Sequence, residues 1–204
     1  GRLSQPMLRL VGLWQEFQQA AIAVKRLGDI MDMPVEPHTL VPARAAAELV
    51  ALGHRIIDFL VGMDVKYVIF ACNTSSSISL GILRQRFRVP MVGLVEPGAA
   101  AAVRATRNGR VGLLATEATV ASGAYRSAIL DGEHRAPLEV VEQACPKLVP
   151  LVESGVLEGP EAEEALVRYL ERIRERGADT IVLGCTHYPF LSPLIRRIYG
   201  PVTL

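Results

Sequence analysis

Apolar positions recur along the chain with two different periods. They divide it into one long first helix and a body in which strands and helices alternate. Over residues 7–33, Leu10, Trp14, Phe17, Ala21, Val24, Leu27 and Met31 are spaced by three and four, as on one face of an amphipathic helix. Ser4 and Pro6 supply a cap and an early helical proline. Pro34, Pro37 and Pro42 then interrupt the pattern, and residues 34–43 read as a linker. Beyond it the pattern predicts helices over 45–63, 75–87, 97–107, 120–130, 160–176 and 192–199. Strands are predicted over 65–71, 91–95, 110–115, 138–143 and 180–183. The run 65–71 is apolar and β-rich, which suits a strand buried on both faces. This alternation points to a doubly wound α/β sheet.

Composition narrows the function classes. The chain has 204 residues, enough for one domain or two small ones. Half of them are hydrophobic and 21% are charged, a globular balance rather than a disordered one. Lys plus Arg number 22 against 21 acidic residues, a net charge of +1. That balance gives no footprint for nucleic-acid binding. Three cysteines are too few, and an odd number, for a disulfide scaffold, and they point to a reducing cytoplasm. The opening residues lack the pattern of a secretory signal. No charge-free run is long enough to span a bilayer, so a complete membrane protein is not expected, and membrane association of residues 1–33 stays only as an alternative.

The chemistry begins with a weak internal repeat. Asp64-Val-Lys-Tyr-Val-Ile-Phe-Ala-Cys72 resembles Ala178-Asp-Thr-Ile-Val-Leu-Gly-Cys185. Each segment passes an Asp, runs through an apolar strand and puts a Cys just past its carboxyl end. That end is where open parallel sheets bind ligands. Asn73 and Thr74 follow the first Cys; Thr186 and His187 follow the second. Such sites offer unpaired N–H groups to a carboxylate and lower the pKa of a nearby thiol. Two cysteines opposed across a crevice suggest that one thiolate removes a proton from one face of a carbon while the other thiol returns one to the opposite face. The product is an inverted stereocentre, and no metal or cofactor is needed.

Other readings of the same residues stay open at this point. A Cys ending a buried strand often serves only as a small hydrophobe, and Cys145 reads that way. A zinc site from Cys72, Cys145, Cys185 and His187 lacks the usual ligand spacing. A Cys–His hydrolase would pair His187 with one Cys, but Cys185 and His187 stand only two apart, an awkward spacing for contact. No Walker or dinucleotide-binding glycine pattern is present.

The residues themselves resemble a known family. Ala71-Cys-Asn-Thr-Ser-Ser76 and Gly184-Cys-Thr-His-Tyr-Pro189 look like the two signature segments of glutamate racemases. Gly93-Leu-Val-Glu-Pro-Gly-Ala99, Ala115-Thr-Glu-Ala-Thr119, Ser122-Gly-Ala-Tyr125 and Ala144-Cys-Pro-Lys-Leu-Val-Pro-Leu-Val-Glu153 are similar to that family in order and spacing. The resemblance runs from about residue 45 to 204. It implies an isomerase that interconverts L- and D-glutamate without a cofactor, in the cytoplasm, for peptidoglycan biosynthesis.

By that resemblance Cys72 and Cys185 are the acid–base pair, with His187 and Glu153 beside the second. Asn73, Thr74, Thr116, Thr119, Thr186 and His187 contact the substrate, and no metal is implied. The expected partner is glutamate and not a nucleic acid, and a homodimer is compatible. The implied fold is two pseudo-symmetric doubly wound lobes with mostly parallel sheets. Residues 45–95 form a partial first lobe, 96–190 the second lobe, and 191–204 the start of a return to the first. The family's first strand, with its glycine-rich turn and Asp-Ser pair, and a later Tyr-Gly pair have no counterpart here, so impaired activity is expected. Residues 1–44 resemble the end of the membrane domain of a type I secretion ABC exporter. The alternative reading is therefore an inactive chimeric fragment or a membrane-associated interaction segment.

Overall fold

The structure, a computed structural model, describes residues 42–204, with side chains from Ala46 onward. The amphipathic helix expected over 7–33, the linker up to residue 41 and most of the exporter-like segment lie outside the described residues. The linker expected up to 43 ends sooner, because helix α1 spans Pro42–Gly62. Proline is tolerated in a first helical turn, where no amide is required to donate.

The first sheet is small. Strand β1, Val68–Ile69, pairs in parallel with β2, Met91–Val92. Helices α2, Asn73–Ile78, and α3, Leu80–Arg86, connect them, replacing the single helix expected over 75–87. Ile57, Val68, Leu80, Leu83 and Met91 make the buried core of this lobe. The helix α1 passes so close that a side chain at Gly53 would stand 2.7 Å from Leu83 Cδ1. The expectation that 65–71 is buried on both faces is overturned: Tyr67 is 54% and Ile69 68% exposed. Among the described residues β1 has one neighbouring strand and one packed face, so alternate side chains have nothing to cover them.

The second sheet carries the larger core. Its order is β4-β3-β5, all parallel, with β3 Arg110–Ala115, β4 Glu139–Ala144 and β5 Thr180–Gly184. One face packs on α4, Val95–Ala105, and on α6, Ala124–Leu130, through Val111, Leu113, Ala115, Val103 and Ile129. Helix α5, Glu117–Ser122, precedes α6, and Gly123 at φ 64° separates them. A left-handed glycine ends one helix where the sequence pattern had run a single helix over 120–130.

The opposite face packs on α7 (Leu148–Glu153), α8 (Pro160–Glu175), a 3-10 turn (Tyr188–Leu191) and α9 (Ser192–Tyr199). Gly112 lets α8 lie against the sheet, since a Cβ there would meet Ile173 Cγ2 at 2.5 Å. Residues 191–204 pack here too: Leu194 and Ile195 are buried in this core, and Thr203 bridges to Thr180 in parallel. Helices on both faces of a parallel sheet give the doubly wound α/β arrangement. No helix among the described residues is long and apolar enough to cross a membrane.

Candidate active site

Both cysteines stand past strand ends, as the sequence repeat required, but in unlike surroundings. Cys72 is exposed and caps the start of α2 with extended backbone, φ −99° and ψ 128°. Its carbonyl oxygen accepts the Ser76 N–H at 2.9 Å and lies 2.8 Å from the Ser76 hydroxyl. Ser76 is buried, and its oxygen also accepts the Leu94 N–H at 3.2 Å. One serine therefore ties the end of β1 to the segment after β2. A cavity of about 220 Å³ adjoins Cys72, with Leu49, Ile56, Ile69 and Phe70 in its wall.

Cys185 is 8% exposed and follows β5 directly. Burial raises its thiol pKa; the His187 N–H and the Thr186 hydroxyl pull it back, while charge on Cys72 and Glu153 raises it further. The net direction is upward, against the sequence expectation that a helix start would lower it. The peptide donors are real, but desolvation outweighs them.

His187 contacts Cys185 after all. Its Nδ1 is 3.6 Å from Sγ, and its Nε2 is 3.3 Å from Glu153 Oε1. A spacing of two is awkward along a strand, but the chain turns sharply here into the 3-10 turn. Glu153 comes from the end of α7, a helix the sequence pattern did not reveal, since Pro150 stands inside it. Cys145 is fully buried, and its thiol donates to the Gln143 carbonyl at 3.3 Å. Among the described residues no three His, Cys, Asp or Glu side chains are grouped to hold a metal ion.

The threonines close the space between the two lobes. Thr74 Oγ1 lies 3.0 Å from Thr116 Oγ1 and 3.1 Å from Thr119 Oγ1, which are 2.9 Å from each other. Thr116 caps α5 by accepting the Thr119 N–H at 3.3 Å. Asn73, buried beside Cys72, accepts the Tyr125 hydroxyl proton at its Oδ1. The expected residues Thr74, Thr116 and Thr119 therefore meet one another, Asn73 meets Tyr125 instead, and Cys185, Thr186, His187 and Glu153 form a second group. Sequence reasoning assigned no task to Ser76 or Tyr125. Their signal lies in their burial, since a buried hydroxyl must find a partner.

The family described as Asp/Glu/Hydantoin racemase matches residues 29–203, reaching upstream of the resemblance that begins near residue 45. The glutamate racemase of Desulforudis audaxviator is 54% identical over 158 residues, 78% of this chain and 57% of that protein. The crystal structure of a Bacillus anthracis glutamate racemase superposes with a TM-score of 0.72 at 30% identity, covering 85% of this chain and 62% of that one. A Francisella tularensis glutamate racemase in complex with D-glutamate gives the same TM-score at 26% identity, covering 82% and 62%. The chain spans about three fifths of the length of the relatives it matches. Paired cysteines past parallel strands, the polar residues that follow each of them and a match over most of the chain converge on one conclusion: the chain belongs to the Asp/Glu/hydantoin racemase family.

Proposed function

We propose that this chain carries the acid–base centre of a glutamate racemase, an isomerase that interconverts L- and D-glutamate. The observation that carries the reading is the meeting of Thr74 and Asn73, which follow Cys72, with Thr116, Thr119 and Tyr125 of the second lobe, whose sheet also carries Cys185 past the end of β5. In this reading residues 45–95 supply the first lobe and residues 96–190 the second. Relatives named as glutamate racemases, one of them solved with D-glutamate bound, support the choice of substrate.

The chemistry needs one proton removed and one returned. One cysteine, as thiolate, takes the α-proton of glutamate and becomes a thiol. The opposed thiol gives its proton to the other face of the same carbon and becomes a thiolate. The product is the mirror-image amino acid, and no bond other than C–H and S–H is exchanged. Burial keeps Cys185 protonated, which suits it to donate. In the reverse direction His187 relays its proton, with Glu153 holding the far ring nitrogen as in an oriented general base. The threonine hydroxyls supply donors to the carboxylate, where negative charge develops in the transition state, and the Asn73 amide binds the substrate equally before and during the reaction. No cofactor is invoked. The product D-glutamate is the form that peptidoglycan synthesis would draw on.

The test is incubation with D-glutamate in heavy water. The expected result is decay of the circular dichroism signal together with deuterium at the α-carbon, both lost in Cys72→Ser and Cys185→Ser. A folded protein that leaves both the signal and the α-proton untouched overturns the reading.

A further inference from the structure

We infer that Tyr125 is a positioning residue: its hydroxyl fixes which end of the Asn73 amide faces the reacting centre. The inference rests on the racemase reading and deepens it.

Asn73 follows Cys72 and is 5% exposed, so its amide has little water to satisfy it. An amide has an accepting end and a donating end, and a half-turn exchanges them. Tyr125 decides between the two. Its hydroxyl is 2.5 Å from Asn73 Oδ1 and 3.4 Å from the Leu94 carbonyl. The shorter separation suits an O–H to oxygen bond and is too close for an amide N–H donor. The phenol is 2% exposed, and burial pushes its pKa up to about 12, so it keeps the donated proton throughout the working range of pH. With Oδ1 held, the two Nδ2 hydrogens are left for a carboxylate. Among the described residues no partner engages them.

The bond also crosses between the lobes. Asn73 opens α2 in the first lobe; Tyr125 lies in α6, packed on the second sheet. Gly98 makes room for it, since a Cβ there would stand 3.2 Å from the phenolic oxygen and 3.3 Å from the ring. Tyr125→Phe removes the hydroxyl and keeps the ring. A purely structural role would change the thermal midpoint alone, whereas positioning acts on substrate binding.

Racemisation kinetics of Tyr125→Phe test this in both directions. The expected result is a KM raised about tenfold with kcat changed less than about twofold, the pattern of a lost binding contact. In an Asn73→Ala background the same change adds nothing, because the two residues act as one unit. An unchanged KM, or effects that multiply in the double variant, overturns the inference. Should the wild-type protein leave glutamate untouched, the racemase reading fails, and the positioning is read by nuclear magnetic resonance without substrate. The Asn73 side-chain amide signals then shift, and the amide rotates faster, in Tyr125→Phe; unchanged signals overturn the inference. If that variant does not fold, the wild type decides. A Tyr125 hydroxyl proton protected from water and close to Asn73 supports the inference, and one in free exchange overturns it.

Discussion

Cys72 and Cys185 follow strands of similar sequence, yet the first is exposed and the second is buried. The strands behind them differ in what surrounds them. β5 pairs with β3 over five residues, meets Thr203 on its other side and lies under α8, α9 and the 3-10 turn. Among the described residues β1 pairs over two residues with β2 alone. The repeat's two aspartates diverge in the same way. Asp179 accepts from the Thr106 hydroxyl at 2.6 Å and from the Arg107 and Asn108 amides at 2.8 and 2.9 Å. Asp64 is exposed, with left-handed backbone at φ 56°. Equal local sequence thus yields unequal settings, because burial comes from neighbours that are distant in the chain.

The largest expected effect tests whether the unlike cysteines are nonetheless equal partners in chemistry. Cys72→Ser and Cys185→Ser should each lower the rate of glutamate inversion by about 10²–10⁴-fold, the usual contribution of a general acid or base. Polarimetry would break the pairing if either variant turned over at the wild-type rate. Thiol labelling measures the difference in setting. Cys72 should react with iodoacetamide at least about tenfold faster than Cys185, and Cys145 slowest of all, since access and thiolate fraction both control the rate. Mass spectrometry of labelled peptides reads the order directly.

Two glycines compare packing in the two lobes. Gly112→Ala drives a methyl into Ile173 and should destabilise by about 1–3 kcal/mol. Gly81→Ala, in α3 with nothing within 4 Å, should stabilise by about 0.5–1 kcal/mol through helix propensity. Urea titrations give both signs, and a destabilising Gly81→Ala would show the first lobe to be better packed than its open strand suggests.

The smallest effect lies in acid. Burial raises the Asp179 carboxyl pKa, but the donors from Thr106, Asn108, Arg107 and Thr180 outweigh it and hold the carboxyl below its ordinary value. The stability it contributes is therefore present above an unfolded pKa of about 3.9 and lost as pH falls through the lower folded value. Asp179→Asn should flatten that acid limb. Thermal melts between neutral and acidic pH compare the variant with the wild type, and equal acid limbs would remove the role given to Asp179.

Much of the second lobe was legible from periodicity. The strand expected over 110–115 and the helix expected over 192–199 match the observed spans, β5 and α8 differ from theirs by one residue at one end, and β4 is shifted by one residue at both ends. The helices among these elements have one face on a core and β3 is buried on both of its faces, and their apolar patterns record it. The first lobe misled: Val65 to Ala71 is apolar enough for a buried strand, but pairing is a property of neighbours, not of composition. Helix α7 escaped notice because Pro150 breaks the expected pattern, although four apolar residues surround it. At the site, the residue types after each cysteine pointed to the polar groups, whereas the contact of His187 with Cys185 depended on a turn that no periodicity records.

By itself the sequence determined the alternation of elements, the position of both cysteines past strand ends and the polar residues that follow each of them. Those properties are local, set by side-chain period and by where a strand must stop. Tertiary structure alone decided that Cys185 is buried and Cys72 open, that Glu153 reaches His187, and that Tyr125 reaches Asn73 from the other lobe. Each depends on distant segments packing together, and desolvation and hydrogen-bond geometry exist only once they have.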